Sequence, residues 1–178
     1  MLTITALMVL WINLVSDGIP ALALGVEPPE PDIMERKPRS REESFFADRL
    51  GARILVRGLT LGWLSYFMFD FALDRGASLA YAETLAFTTL IFAQLWHVFD
   101  ARSFASIYTT NPFSNRYLVL AVGVSALLSI AVIYLPIGNT VFGTAPLTGK
   151  HLLMVVSIAA LPTFVLSAIK AAFGFRFL

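Results

Sequence analysis

Five apolar stretches, separated by polar or turn-rich segments, set the pattern of this chain. They run from Leu2 to Val26, Leu50 to Leu73, Tyr81 to Phe99, Tyr117 to Leu135 and Lys150 to Phe173. Each is close to the about 20 residues an α-helix needs to cross the hydrocarbon of a bilayer. Runs such as Leu118-Val119-Leu120-Ala121-Val122 do not alternate, as the strands of a membrane β-barrel do. A helix also pairs its backbone groups within one segment, which hydrocarbon demands. The pattern predicts an all-α membrane protein, a bundle of five transmembrane helices. Between the stretches lie a charged, Pro-rich segment (Glu27 to Arg49), a short loop (Asp74 to Ala80), a turn-rich stretch with Asn111-Pro112 (Asp100 to Arg116), and a loop of Gly and Pro turns (Pro136 to Thr148).

Composition strengthens this reading. Apolar residues make up 57% of the chain and charged residues 14%, where a soluble domain would carry about a quarter charged. A soluble protein of this length has too much surface to hide so many apolar side chains. The net charge of +1 gives nucleic acid no electrostatic hold, so it is not an expected partner. The absence of cysteine excludes thiolate metal sites, disulfides and cysteine nucleophiles. Residues 1–25 lack a basic leading region and are interrupted by Asn13, Asp17 and Pro20, unlike a signal peptide.

Basic residues orient the spans. With five spans, eleven of the 13 Lys and Arg residues fall on one side, leaving Arg75 and Lys150 on the other. The side rich in basic residues faces the cytoplasm, which puts the C-terminus inside and the N-terminus outside. A chain that starts outside, within an apolar segment and without a targeting signal, is expected to be the interior of a larger membrane protein.

Chemistry concentrates in the first span. Asn13, Ser16 and Asp17 are three and four residues apart, a spacing that puts them on one helical face near mid-membrane. A carboxylate there costs about 2.5–3.5 kcal/mol on insertion scales, normally offset by a partner charge, an ion or a water-filled cavity. Pro20 removes the amide that would bond the Ser16 carbonyl. The expected result is a locally opened helix, whose oxygens suit a hard cation. The alternative is that Asn13 and Asp17 only hydrogen-bond between helices.

The run Trp11-Ile-Asn-Leu-Val-Ser-Asp-Gly-Ile-Pro20, continuing through Glu27-Pro-Pro-Glu-Pro-Asp-Ile-Met-Glu-Arg-Lys-Pro-Arg39, resembles the sixth transmembrane helix of the P-type calcium pumps and its cytoplasmic exit. Phe142-Gly-Thr-Ala-Pro-Leu147, Leu161-Pro162 and Lys170 resemble the end of the same region. The resemblance covers helices six to ten of a ten-helix pump. It implies that residues 1–26 are the ion-site helix, 27–49 a cytoplasmic loop contacting the phosphorylation domain, and 50–178 a four-helix support domain. It also implies that Asn13, Ser16 and Asp17 bind the transported calcium. Ser16 stands where reticulum-type pumps have Thr, which keeps the hydroxyl. Gln94 falls where reticulum-type pumps carry a Glu ligand, a Glu that plasma-membrane-type pumps, which move one calcium per cycle, also lack. One calcium site is expected, with Gln94 either a further metal ligand or an interhelical hydrogen-bonding group.

Other polar groups have two readings each. Gly58 and Gly62 form a Gly-x-x-x-Gly pair that permits close helix packing and, by resemblance, meets the fifth helix; chance in a Gly-tolerant helix is the alternative. His97 and Asp100 are a proton relay or ion-path pair, or else interfacial groups bonded to neighbouring helices. Asp70 and Asp74 lie near the outer interface. Glu27, Glu30 and Asp32 either draw divalent cations to the pathway's mouth or answer the basic residues that follow. Trp11, Trp63 and Trp96 fit packing or interface roles. Two distant histidines without cysteine give no zinc pattern.

The limits are chemical. No Asp-Lys-Thr-Gly-Thr phosphorylation motif occurs, and phosphoryl transfer needs positioned phosphates, metal and nucleophile together. The chain alone is expected not to hydrolyse ATP, with ATP and magnesium belonging to the rest of the pump. Asn13 and Ser16 offer one side-chain oxygen each and Asp17 two, where calcium takes about 6 to 8. The expectation is half a site, completed by the pump's other helices. Membrane lipid, helices one to five and the cytoplasmic domains are the implied partners, in a cell membrane. Alternatives are a pump for manganese, sodium, potassium or protons, or a self-standing membrane protein without transport activity.

Overall fold

A computed structural model describes residues 3–29, 33–34, 50–103, 106–109 and 111–173. Among them lie six helices and no strand: α1 (Ala6–Leu24), α2 (Leu50–Asp74), α3 (Leu79–Ala101), α4 (Arg116–Tyr134), α5 (Pro136–Phe142) and α6 (Gly149–Phe173). The architecture is an all-α membrane bundle. Four helices, α1, α2, α4 and the Gly149–Ala172 part of α6, are long and apolar enough to cross a membrane.

The fifth expected span, α3, is 23 residues long but is not among those four. It is also the most deeply buried helix, packed against α1, α2, α4 and α6. Neighbouring helices therefore cover much of its surface. Its hydroxyls are satisfied at home: Thr84, Thr88 and Thr89 donate to the carbonyls of Ala80, Thr84 and Leu85 at 2.6–2.7 Å, the i−4 back-bond that hides a threonine inside a helix. Leu61, Met68 and Phe69 of α2, Leu85, Ala86 and Phe92 of α3, and Val155 and Ala159 of α6 form the principal apolar core.

Caps fix the helix starts. Thr5, Ser78 and Asn115 accept amide hydrogens from the first turns of α1, α3 and α4, each offsetting an orphaned N–H worth about 1 kcal/mol. The segment Pro136 to Thr148, expected to be only loop, contains α5. Pro136 starts it with a preset φ at the first helical position, and Gly143 ends it at φ 69°, in the left-handed region. Gly138 lets α5 fold back on α4: a Cβ there would sit 2.3 Å from the Val132 carbonyl oxygen. Helix was not expected here because Pro and Gly read as turn residues when the backbone they lie against is unknown.

Candidate functional site

Helix α1 is continuous, but its middle is not α-helical. Ala6–Trp11 and Gly18–Leu24 are α, and Ile12–Asp17 between them is a π-helix. The expected opening of the chain is therefore replaced by a widened turn. Its cause is Pro20, which has no N–H to offer the Ser16 carbonyl. Closing i→i+5 bonds upstream absorbs one extra residue and restores α-helix from Gly18 onwards.

The widening rearranges the three polar residues. Asn13 and Asp17 are exposed, while Ser16 is only 3% exposed. The face expected to carry all three is thus split, since adding a residue per turn keeps positions four apart nearly aligned and rotates the position three apart away. The Ser16 hydroxyl is buried without a hydrogen-bond partner. The same holds for Gln94 Oε1 of α3. Helix α3 packs against the π segment, and Ile91 and Leu95, either side of Gln94, share an apolar cluster with Met8 and Ile12. Two orphaned oxygens thus lie on neighbouring helices, one of them inside the widened turn. Among the described residues no three His, Asp or Glu side chains are grouped to hold a metal.

Helix α4 holds α1 along its length. Near the start, Trp11 Nε1 donates to Ser129 Oγ at 3.3 Å, and its ring meets Phe142 of α5 edge-on at 5.2 Å. In the middle, Ser125 Oγ donates to the Val15 carbonyl at 2.8 Å. At the far end, Asn115 Nδ2 donates to the Ala23 carbonyl at 3.1 Å and to Glu27 Oε2 at 2.6 Å. Arg102 contacts the other oxygen, Glu27 Oε1, at 3.2 Å. Both oxygens of Glu27 are therefore engaged within the chain, which favours the answering role over the cation-drawing one. Glu30 and Asp32 lie outside the described residues. Sequence reasoning missed Ser125 and Ser129; two serines four apart in an apolar span, on the face of Ala121 and Leu118, were the available signal.

His97 and Asp100 belong to a different assembly. Arg57 of α2 donates to Asp100 Oδ2 and lies 2.6 Å from His97 Nδ1. Lys170 of α6 lies 3.6 Å from Asp100 Oδ1 and donates to the Ser103 carbonyl at 3.0 Å. Asp100 is 1% exposed. These four side chains bolt α2, α3 and α6 together, so His97 and Asp100 bond to neighbouring helices rather than standing free for proton relay. Gly58 and Gly62 line an open groove of about 340 Å³ on α2 with Leu59, Trp63 and Tyr66. Trp96 packs on Phe164.

Comparison with known proteins adds relatives to this geometry. The family model "Cation transporting ATPase, C-terminus" matches residues 1–172. A calcium-transporting ATPase of Bacillus subtilis is 44% identical over 167 residues, covering 93% of this chain and 19% of that protein. Calcium-transporting ATPase 1 of Bacillus cereus is 33% identical over 182 residues, covering 92% of this chain and 20% of its own length. Calcium-transporting ATPase 1 of Yarrowia lipolytica is 34% identical over 159 residues, 85% of this chain and 16% of the relative. The chain thus spans between 16% and 20% of the length of these relatives.

Proposed function

The chain belongs to the family of cation-transporting ATPase C-termini, and from that premise we propose that it forms part of one intramembrane calcium site in a pump exporting calcium from the cytoplasm. Asn13, Ser16 and Asp17 are the proposed ligand side chains, with Gln94 beside them. Helices one to five supply the remaining oxygens, and the pump's cytoplasmic domains use ATP and magnesium for phosphoryl transfer. The proposed setting is a cell membrane with the C-terminus in the cytoplasm. On this reading residues 1–26 carry the site, 27–49 form the cytoplasmic loop and 50–178 the support domain.

One observation carries the reading. In the widened turn, a serine hydroxyl is buried with no protein partner, and on the adjoining face a carboxamide and a carboxylate are exposed. A buried hydroxyl left unpaired costs about 1–3 kcal/mol, and an ion that it ligates removes that cost. The exposure of Asn13 and Asp17 suits a shell finished from outside this bundle, since three side chains fall short of the about 6 to 8 oxygens calcium takes. The relatives named as calcium-transporting ATPases favour calcium over other cations.

The test is Asp17→Asn in the assembled pump, which preserves size and removes the charge. Calcium-activated ATP hydrolysis is expected to be lost while the protein remains folded by circular dichroism. Unaltered calcium dependence would remove Asp17 from the site.

A further inference from the structure

We infer that Ser125 of α4 is a positioning residue for the ion site, acting through the Val15 carbonyl rather than on the ion. The inference rests on the calcium-site reading above and extends it to a second helix.

Val15 sits inside the π segment Ile12–Asp17. Five residues beyond Val15 is Pro20, which has no N–H, so no i→i+5 bond is open to the Val15 carbonyl. That carbonyl would otherwise be short of its π-type partner in a region without water to replace it. Ser125 supplies the donor: its Oγ is 2.8 Å from the Val15 oxygen, and its side chain is fully buried. The bond is aimed at the residue before Ser16, within the stretch whose widening exposes Asn13 and Asp17 together. Without it, the Val15 carbonyl gains by retracting into an i→i+4 bond. The turn then tightens toward α-helix and rotates Ser16 out of the position it holds relative to Asn13 and Asp17.

A second bond of the same kind gives the control. Ser65 Oγ of α2 donates to the Ala86 carbonyl of α3 at 2.9 Å, also buried but with neither partner on α1. Ser65→Ala and Ser125→Ala each remove one buried interhelical hydroxyl-to-carbonyl bond, so a purely structural role makes them alike.

Two measurements decide the matter. In the assembled pump, Ser125→Ala is expected to raise the calcium concentration for half-maximal ATPase activity about three- to tenfold, the factor one such bond carries. Its maximal rate and melting temperature should match those of Ser65→Ala, which should keep the wild-type calcium dependence. In the full chain in detergent micelles, amide exchange over Ile12–Ile19 is expected to change in Ser125→Ala and not in Ser65→Ala. Identical calcium dependence in both variants, or identical exchange in both, overturns the role of Ser125. A wild-type pump with no response to calcium sinks the calcium reading instead, and the exchange measurement still decides whether Ser125 sets the turn. Should Ser125→Ala not fold, Ser125→Cys keeps the bulk, weakens the donor and carries the same test.

Discussion

Replacing Asp100 by Asn would remove a carboxylate that lies between two buried cations while keeping its shape. Arg57 and Asp100 form a buried ion pair with side chains 9% and 0% exposed, and Lys170, 7% exposed, lies 3.6 Å from the other carboxylate oxygen. At an effective dielectric of about 20, two unit charges at that distance attract by roughly 4–5 kcal/mol, and the burial of all three groups leaves little solvent screening to discount. Breaking a buried pair by removing one partner costs about 3–5 kcal/mol. Asp100→Asn is therefore expected to lower the unfolding free energy by about 3–5 kcal/mol. The assay is unfolding in mixed micelles with increasing denaturing detergent, followed by tryptophan fluorescence and extrapolated to zero denaturant. Adding Lys170→Met to Asp100→Asn removes one stranded cation and should restore at least about 1 kcal/mol of the loss. A loss below about 1 kcal/mol for Asp100→Asn, or no recovery in the double variant, would refute a cluster held by its central charge.

Two glycines should behave in opposite ways. Gly138→Ala drives a methyl into the Val132 backbone and should cost about 1–3 kcal/mol of stability, whereas Gly58→Ala meets nothing within 4 Å and should gain up to about 1 kcal/mol from helix propensity in the chain alone; thermal unfolding in detergent measures both. Asn115→Ala removes the cap of α4 together with the ties to Ala23 and Glu27, so about 1–2 kcal/mol should be lost, with faster amide exchange at Tyr117 and Leu118 as its local sign.

The spans were legible because apolar runs of helical length leave hydrocarbon few other options. The expected Leu50 to Leu73 became Leu50–Asp74 and Tyr117 to Leu135 became Arg116–Tyr134. What stayed hidden depends on distant partners. Asp100 reads as an interfacial carboxylate until Arg57, 43 residues away, and Lys170 are seen around it. Those two cations carry weight in a count of basic residues for orientation, yet both are buried in the bundle. The π segment was half legible: Pro20 announced trouble for the Ser16 carbonyl, but that the helix widens rather than opens, with Ser125 of α4 bonded to the Val15 carbonyl, needed the coordinates. Gln94 could be read as ligand or as interhelical bond; its oxygen has no protein partner, a fact invisible without coordinates.

The seam from Ser129 through Ser125 to Asn115 gives α1 a mechanical asymmetry. Pinned near its start, middle and end to one neighbour, the helix is a plank glued along one edge. It can ride with α4 but cannot tilt away without tearing three fastenings at once. The edge on which Asn13 and Asp17 are exposed is left open to whatever packs against it.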